Sequence, residues 1–274
     1  MEKIAVYGKG GIGKSVVATN LSAFYGRAGK RVLHVGCDPK HDSAVRLLEK
    51  RQPVRTILEV LGSRPDAERT KEIINIGRHG IHACEAGGPP AGLGCGGRGV
   101  ARTIEYLDEW GFLSSGDYDI ALFDVLGDVV CGGFAAPLRD GFAEKVVIVV
   151  SEEPMAMFAA NNISRAVDHY KRNGVVLAGL VVNLRGSNVN LGPLERFAKR
   201  LNTRILTVIE RDKRIMEAER AQLTLVETEP EANAAKALVH LAETLLALDR
   251  TTVPPPTPMS DDEFFELARK WEEP

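Results

Sequence analysis

The chain has 274 residues, 44% of them hydrophobic, so it is long enough to bury a large core in one domain. Its formal net charge of −2 gives no electrostatic case for nucleic acid or an anionic membrane surface as a partner. No run approaches the ~20 apolar residues of a membrane span, and the start from Met1 to Ile4 lacks the features of a signal peptide. We therefore expect a cytoplasmic protein whose four cysteines are thiols or metal ligands and do not form a disulfide framework.

Apolar, β-branched runs alternate along the chain with longer amphipathic segments. The runs predict strands at Lys3–Tyr7, Arg31–Gly36, Ile81–Glu85, Asp119–Phe123, Lys145–Val150, Leu177–Asn183 and Ile205–Ile209. The amphipathic segments predict helices that include Gly13–Ala28, Gly99–Trp110, Met155–Arg172, Leu194–Leu201 and Ala232–Leu248. Apolar strands separated by helices favour an α/β fold with a mostly parallel sheet and helices on both faces. Ligands of such sheets bind at the carboxyl ends of the strands.

A glycine-rich loop follows the first predicted strand. It matches the G-x4-G-K-S motif of a P-loop NTPase and lies between a strand and a helix, the context that supports the motif. Backbone amides of such a loop surround phosphates, with Lys14 on the β- and γ-phosphates of ATP and Ser15 on Mg²⁺. The strand that ends at Asp124 supplies the aspartate that would orient Mg²⁺ or its water. The loop residues expected to bind the nucleotide are Gly8, Lys9, Gly10, Gly11, Ile12, Gly13, Lys14 and Ser15.

Two cysteines, Cys95 and Cys131, lie in glycine-rich loops farther along the chain. Glycines beside a thiolate let the backbone approach a bulky inorganic centre and turn amide N–H groups toward it. A four-iron cluster takes four thiolates, whereas each chain offers two in such loops. The simplest arrangement is a symmetric homodimer with one cluster on its twofold axis.

The helical pattern ends at Asp249, and a proline-rich linker follows it. Ser260 to Glu263 has the form of a capping box, which predicts a short terminal helix. We therefore divide the chain into a P-loop ATPase and cluster domain at 1–249 and a linker with a short helix at 250–274. The terminal segment is expected to dock on its own domain or on the partner subunit.

The second lysine of the loop, Lys9, makes it resemble the deviant Walker A of the dimeric SIMIBI-type ATPases. That group includes ParA and MinD, arsenite-pump ATPases, iron–sulfur carriers and the nitrogenase iron protein. The resemblance implies that Lys9 reaches across a dimer interface to the nucleotide of the partner subunit.

Three longer stretches, Val35–Ser43, Glu85–Gly99 and Asp124–Phe134, resemble the nitrogenase iron protein and its relatives. Those relatives are the ATP-dependent reductases of the dark protochlorophyllide, chlorophyllide, nickel-tetrapyrrole and methylthio-alkane systems. The resemblance covers roughly residues 1 to 248. It implies a homodimer with one bridging [4Fe–4S] cluster, MgATP on each subunit, and an electron donor such as ferredoxin or flavodoxin. It also implies electron delivery to a nitrogenase-like α₂β₂ catalytic component.

The resemblance further implies roles by position. Cys95 and Cys131 would be the cluster ligands, and Arg98 would dock the catalytic partner. Asp38 and Lys40 fall in switch I, a segment that responds to the nucleotide.

Residues 124–134 would form switch II, in which Asp128 positions or activates the attacking water. Asn183 matches the adenine-contacting asparagine of the family, and Lys40, Arg211 and Asp212 are also expected to bind the nucleotide. The residues expected to act in ATP hydrolysis are Lys9, Lys14, Asp38, Lys40, Asp124 and Asp128.

The chain also departs from its relatives. Val16 and Val17 follow Ser15 where many relatives have two threonines, and Glu210 replaces a usual proline beside the adenine pocket. Cys37 and Cys84 match family positions that are not ligands, and each ends an apolar strand, so we expect both to be buried and structural.

Different stretches of this sequence resemble different branches of the family. Gly36–Ser43, Glu85–Gly92 and Phe134–Leu138 resemble the protochlorophyllide reductase subunit, whereas Arg98 and Met155–Ile163 resemble the nitrogenase protein. The mixture favours a third branch, the methylthio-alkane reductase component, ahead of protochlorophyllide or chlorophyllide reductase and nitrogenase. The alternative function is a non-redox ParA/MinD-type or iron–sulfur carrier ATPase, although the C-x-x-C pair usual in carriers is absent.

Overall fold

One eight-stranded sheet organises the computed structural model, which describes residues 1–49, 54–61, 72–88, 94–127, 132–139 and 142–270. Its strands are β1 Glu2–Gly8, β2 Val32–Cys37, β3 Asn75–Ile76, β4 His82–Glu85, β5 Ile120–Val125, β6 Lys145–Val150, β7 Val176–Asn183 and β8 Ile205–Ile209. Their spatial order is β3-β4-β2-β5-β1-β6-β7-β8. All neighbours are parallel except β3 and β4, which pair antiparallel. The predicted α/β class with a mostly parallel sheet is confirmed, and β3 is a short edge strand that the apolar pattern does not reveal.

The central strands are buried on both faces. Every residue of β5 and β6 is buried, as are the last five of β1. Because successive side chains of a strand point to opposite faces, continuous burial requires cover on both sides of the sheet. The packing supplies it, since β1 contacts the helices Lys14–Arg27 and Pro154–Tyr170.

The helices complete the alternation in chain order. They are α1 Lys14–Arg27, α2 Ile57–Leu61, α3 Gly96–Glu109, α4 Pro154–Tyr170, α5 Gly192–Arg200, α6 Lys213–Arg220, α7 Leu225–Thr228, α8 Asn233–Ala247 and α9 Asp261–Arg269. The helix predicted from Gly99 begins earlier, at Gly96, because Cys95 is still extended and caps it. Within the described ranges, no helix is both long and apolar enough to cross a membrane.

The C-terminal segment docks on its own chain. The side chain of Asn161 in α4 donates to the Met259 carbonyl at 2.9 Å and accepts from the Met259 amide at 2.8 Å. Ser260 caps α9 with Glu263 in the predicted capping box. Phe264 is fully buried, with its ring centroid 5.2 Å from that of Phe158. The segment therefore covers α4, while residues 271–274 lie outside the described part of the chain.

Candidate nucleotide and cluster site

The sheet order brings the sequence motifs to one edge. The register aligns Glu85 of β4 with Gly36 of β2, and both Gly36 and Val6 of β1 with Asp124 of β5. The loops that follow these four neighbouring strands begin at the same edge of the sheet, where parallel sheets bind their ligands. The phosphate-binding loop, the predicted switch I, Asp124 and the Cys95 loop are therefore neighbours in space.

The phosphate-binding loop requires glycine where it turns. Gly8 has a φ of 146°, and a Cβ there would lie 2.3 Å from the Val149 carbonyl oxygen. Gly13, with a φ of 106°, leads into α1. Lys14 is 8% exposed, and its ammonium donates to the Lys9 carbonyl at 3.1 Å. The lysine is thus held across the mouth of the loop, where phosphates would meet α1's N-terminal amides.

Asp124 lies directly behind this loop. It is 5% exposed, and its Oδ2 accepts a hydrogen bond of 2.5 Å from the Ser43 hydroxyl. Burial raises the pKa of Asp124, while hydrogen bonds from Ser15 and Ser43 and the charge of Lys14 oppose that rise. A carboxylate bonded to the Ser15 hydroxyl is the hard-oxygen environment that Mg²⁺ prefers, so these residues fit the ion.

A cavity of about 490 Å³ extends from the loop toward the ends of β7 and β8. The Asn183 amide donates to the Ile12 carbonyl at 2.8 Å, which fixes the asparagine against the loop. The cavity is lined by Gly11, Gly13, Lys14, Ser15, Val16, Arg46, Asn183, Leu184, Arg185, Arg211, Asp212, Lys213, Ile215, Met216 and Glu219. The cavity places Asn183, Arg211 and Asp212 together, next to the phosphate-binding loop.

Arg211 and Asp212 are both engaged within the chain. The Arg211 guanidinium donates to the Arg185 carbonyl at 2.7 Å. The Asp212 carboxylate caps α6 and pairs with Arg214 at 2.6 Å. Their side chains therefore shape the wall of the cavity.

Lys9 of the loop is partly exposed, and the predicted switch I residues Asp38 and Lys40 follow the end of β2. The Asp38 carboxylate accepts from the Lys40 amide at 2.9 Å, which closes a local turn, and Lys40 is exposed. Across the described segments, no hydrogen bond or ion pair engages the ammonium of Lys9 or Lys40. In a single subunit these two cations are thus available for a ligand or for a second chain.

The residues that follow Cys131 pack beside the start of α3, next to Cys95. Cys95 is exposed and caps α3, and the Arg98 amide donates to its carbonyl at 3.2 Å. Gly133 packs so closely on Gly97 that an added Cβ would lie 2.2 Å from the Gly97 carbonyl carbon. Cys131 and Asp128 lie outside the described residues. The exposed thiol at a helix N-terminus, with the chain after Cys131 packed against that helix, fits an iron–sulfur cluster.

The other two cysteines are unlike Cys95. Cys37 and Cys84 are fully buried at the ends of β2 and β4. Burial raises the pKa of both thiols well above the usual range, so neither resembles a thiolate ligand. This placement agrees with the structural role expected for them.

Sequence reasoning did not identify two polar groups beside Asp124. Ser43 is 1% exposed and bonds Asp124 directly. Glu85 is fully buried and accepts from the Ala44 amide at 2.5 Å. Burial raises the pKa of Glu85 to about 8. The only sequence signal for Glu85 is a carboxylate at the end of an apolar strand.

Arg98 lies on an open surface next to Cys95. It is exposed and borders a cavity of about 530 Å³. Arg102 on the same helix is already paired with Glu105 and Glu109, each at 3.0 Å. The cavity is lined by Arg98, Ala101, Arg102, Glu105, Gly132, Gly133, Arg139 and Tyr170. Arg98 and Arg139 thus add positive charge to this cavity beside the paired Arg102.

Known proteins match both the sequence and the fold. The chain is 41% identical over 271 residues to nitrogenase iron protein 2 of Methanothermobacter thermautotrophicus, covering 99% of this chain and 98% of that protein. The cell-division ATPase MinD of Pyrococcus furiosus aligns with a TM-score of 0.72 and 24% identity over 91% of this chain and all of that one. MinD of Pyrococcus horikoshii, solved with Mg-ADP, aligns with a TM-score of 0.70 and 23% identity over 92% of this chain and all of that one.

The MinD structures establish the fold alone, and they confirm the P-loop NTPase class expected from the sequence. The family is established by the sequence match. The model of the 4Fe-4S iron sulfur cluster binding proteins, NifH/frxC family, matches residues 2–273. The chain therefore belongs to this family, and a [4Fe–4S] cluster and MgATP are its cofactors.

Proposed function

We propose that this chain is the iron protein of a two-component reductase, which couples MgATP hydrolysis to electron delivery from a cluster shared by two subunits. The observation that carries the proposal is the position of Asp124. It contacts Ser15 of the phosphate-binding loop and also begins the segment that leads to Cys131. A change at the nucleotide is thereby transmitted to the cluster loop through one short stretch of chain.

The nucleotide end of this link is built to hold a triphosphate. Lys14 lies over the loop, and Ser15 and Asp124 provide oxygen ligands behind it. When bound, Mg²⁺ would neutralise charge that develops on the phosphates. Lys9 would add a cation from the partner subunit, which makes hydrolysis depend on the closed dimer.

The cluster end relies on α3. Cys95 lies at the N-terminus of this helix, where backbone amides and the helix dipole stabilise a thiolate. Cys131 would supply the second ligand of each subunit. A bound [4Fe–4S] cluster would supply one-electron transfer at a potential set by such surroundings.

The segment that links the nucleotide site to the cluster site is anchored at Asp124 and at Phe134. Asp124 belongs to β5, and the Phe134 carbonyl accepts a hydrogen bond of 3.0 Å from the buried Tyr7 hydroxyl of β1. Displacement caused by the nucleotide is thus confined to the residues between these anchors, which include Cys131.

The surface around Arg98 and the family resemblance together suggest the partners of this protein. We infer a homodimer that docks a nitrogenase-like α₂β₂ catalytic component with its Arg98 face and takes electrons from a ferredoxin or flavodoxin. The mixed sequence motifs favour the methylthio-alkane reductase branch, followed by the protochlorophyllide, chlorophyllide and nitrogenase branches. A cytoplasmic location is part of the proposal.

The test is iron content and iron release in protein purified without oxygen. Wild type should hold about four iron atoms per dimer, and MgATP should speed their removal by an iron chelator. Cys95→Ser and Cys131→Ser should lose the cluster because each removes two of four ligands in the dimer. Cys37→Ser and Cys84→Ser, the matched buried controls, should keep it.

The alternatives give different results. Wild type without iron but with ATP hydrolysis would favour a ParA/MinD-type ATPase. A cluster released intact to an acceptor protein, without electron transfer, would favour a carrier.

A further inference from the structure

A series of buried hydrogen bonds runs from the interior to Asp124. It consists of Ser22 in α1, His34 in β2, Ser43 in switch I and Asp124 in β5. The first three are at most 1% exposed and Asp124 is 5% exposed. The links measure 2.9 Å from Ser22 Oγ to His34 Nδ1, 2.8 Å from His34 Nε2 to Ser43 Oγ, and 2.5 Å from Ser43 Oγ to Asp124 Oδ2.

The donors and acceptors of these hydrogen bonds can be assigned. The Ser43 hydroxyl has a single proton and donates it to Asp124, so its oxygen accepts from His34. His34 therefore carries its proton on Nε2, and Nδ1 accepts from the Ser22 hydroxyl. Burial lowers the pKa of His34 to about 3, which keeps the ring neutral and leaves Nδ1 free to accept.

An imidazole at this position needs a physical reason. Leu33 and Val35 beside it in β2 are apolar and fully buried. A leucine or valine would fill the space without the cost of burying a polar ring. The Nε2 of His34 bonds the same Ser43 hydroxyl that contacts Asp124, so the ring is linked to the nucleotide site through one side chain.

We propose that His34 is a positioning residue of the nucleotide site, which holds Ser43 as a donor to Asp124 and so holds switch I against β5. This inference rests on the proposed nucleotide function. While the His34 ring donates to the Ser43 oxygen, the Ser43 hydroxyl can direct its own proton only toward Asp124. Without it, Ser43 is free to turn away, and Asp124 loses both a hydrogen bond and its fixed orientation toward the Mg²⁺ site.

Two substitutions separate positioning from packing. His34→Gln keeps an N–H donor near the place of Nε2, whereas His34→Leu fills the space without a donor. Mg²⁺-dependent ADP affinity is measured by calorimetry, with Mg²⁺-free ADP as reference. His34→Leu should weaken the Mg²⁺-dependent part about tenfold, the scale of one hydrogen bond to a charged group. His34→Gln should stay within about threefold of wild type.

A second measurement does not depend on the ligand. Hydrogen exchange of the peptide that contains Ser43 should be faster in His34→Leu and close to wild type in His34→Gln. His82→Leu is the matched control because His82 lies in β4 and bonds the Tyr118 hydroxyl at 2.9 Å. It loses a similar hydrogen bond away from Asp124, so both readouts should match wild type.

The outcomes are distinct. Unchanged binding and exchange in His34→Leu would overturn the proposal. Equal losses in His34→Gln and His34→Leu, with equal falls in melting temperature, would show a purely structural role and overturn it too. If wild type lacks Mg²⁺-dependent ADP binding, the proposed nucleotide function fails, and this inference fails with it.

Discussion

Ionisable side chains buried behind the phosphate-binding loop keep little charge in the interior. Burial raises the pKa of Glu85 to about 8 and lowers that of His34 to about 3, so both are neutral near pH 7. Burial raises the pKa of Asp124 as well, although hydrogen bonds from Ser15 and Ser43 and the charge of Lys14 oppose that rise.

Glu85 makes stability depend on pH. Its pKa is raised by burial, so folding favours the protonated form, and the folded state binds more protons than the unfolded state between about pH 4.5 and 8. Its stabilising proton is fully present below the unfolded pKa and is lost as pH rises through the folded value. We expect Glu85→Gln to gain stability relative to wild type with rising pH, on the order of 3 kcal/mol between about pH 5.5 and 8.

The measurement is chemical denaturation of the holoprotein at several pH values. Glu243→Gln changes an exposed carboxylate of α8 and serves as the control. A difference between Glu85→Gln and wild type that stays constant with pH would mean that Glu85 is ionised in the folded protein.

The two lysines of the loop should fail differently when removed. Lys14→Ala should lose ATP binding because the buried ammonium acts within its own subunit. Lys9→Ala should still bind ATP but hydrolyse it slowly, since the proposed action of Lys9 is on the partner's nucleotide. Equilibrium binding and steady-state hydrolysis separate the two defects, with the exposed Lys30→Ala as control. Normal hydrolysis by Lys9→Ala would rule out action across the dimer.

Helix α3 begins next to the predicted cluster ligand Cys95 and also forms part of the surface around it. Its first turn begins at Cys95 and contacts Gly133, while Arg98 and Arg102 point into the adjoining cavity. Arg102 is neutralised by Glu105 and Glu109. Arg98 is therefore the arginine of this helix that is best placed to meet an acidic partner.

Reversing the charge of Arg98 should block docking. Arg98→Glu should keep the cluster and ATP binding, because Arg98 is exposed and does not line the nucleotide cavity. It should weaken the complex with the catalytic component by about 2 kcal/mol or more, since like charges would face each other. Arg269→Glu, an exposed arginine at the end of α9, is the control. Substrate reduction with dithionite and the cognate component provides the readout, and wild-type rates in Arg98→Glu would exclude this face.

The bounds of strands and helices follow from local sequence more directly than side-chain contacts do. β6 and β8 have the predicted bounds, and the motif residues Asp124 and Asn183 lie at strand ends as expected. The helices named from the sequence do not include α2, α6 and α7, whose segments are short. The contacts of His34, Ser43 and Glu85 could not be predicted, because they arise only when β4, β2 and β5 lie side by side. Nothing local in the sequence specifies that order.

At the scale of the whole molecule, the C-terminal segment extends the core. Phe264 adds a fully buried ring against Phe158 and Phe197, with Met259 fixed nearby by Asn161. This docking explains why a segment after a proline-rich linker is ordered on its own subunit. The division of the chain at residue 249 remains a prediction.

Removing the Phe264 ring should destabilise the protein globally. Phe264→Ala should cost about 3–5 kcal/mol, as expected for a buried aromatic ring. Phe265→Ala, the neighbour that is 44% exposed, should cost much less. Thermal unfolding of both variants tests this. A similar small loss in both would mean that the terminal helix unfolds independently of the domain.

The two-residue strand β3 has a consequence for assembly. It runs antiparallel along one margin of the sheet and presents almost no ladder to which another chain could add. Long exposed margins invite edge-to-edge aggregation, and a short strand of this kind prevents it. This edge therefore offers little to a second subunit, which agrees with the proposed dimer through the loops that would carry nucleotide and cluster. A dimer of that kind would open without breaking a shared sheet, so nucleotide exchange would not threaten the integrity of either fold.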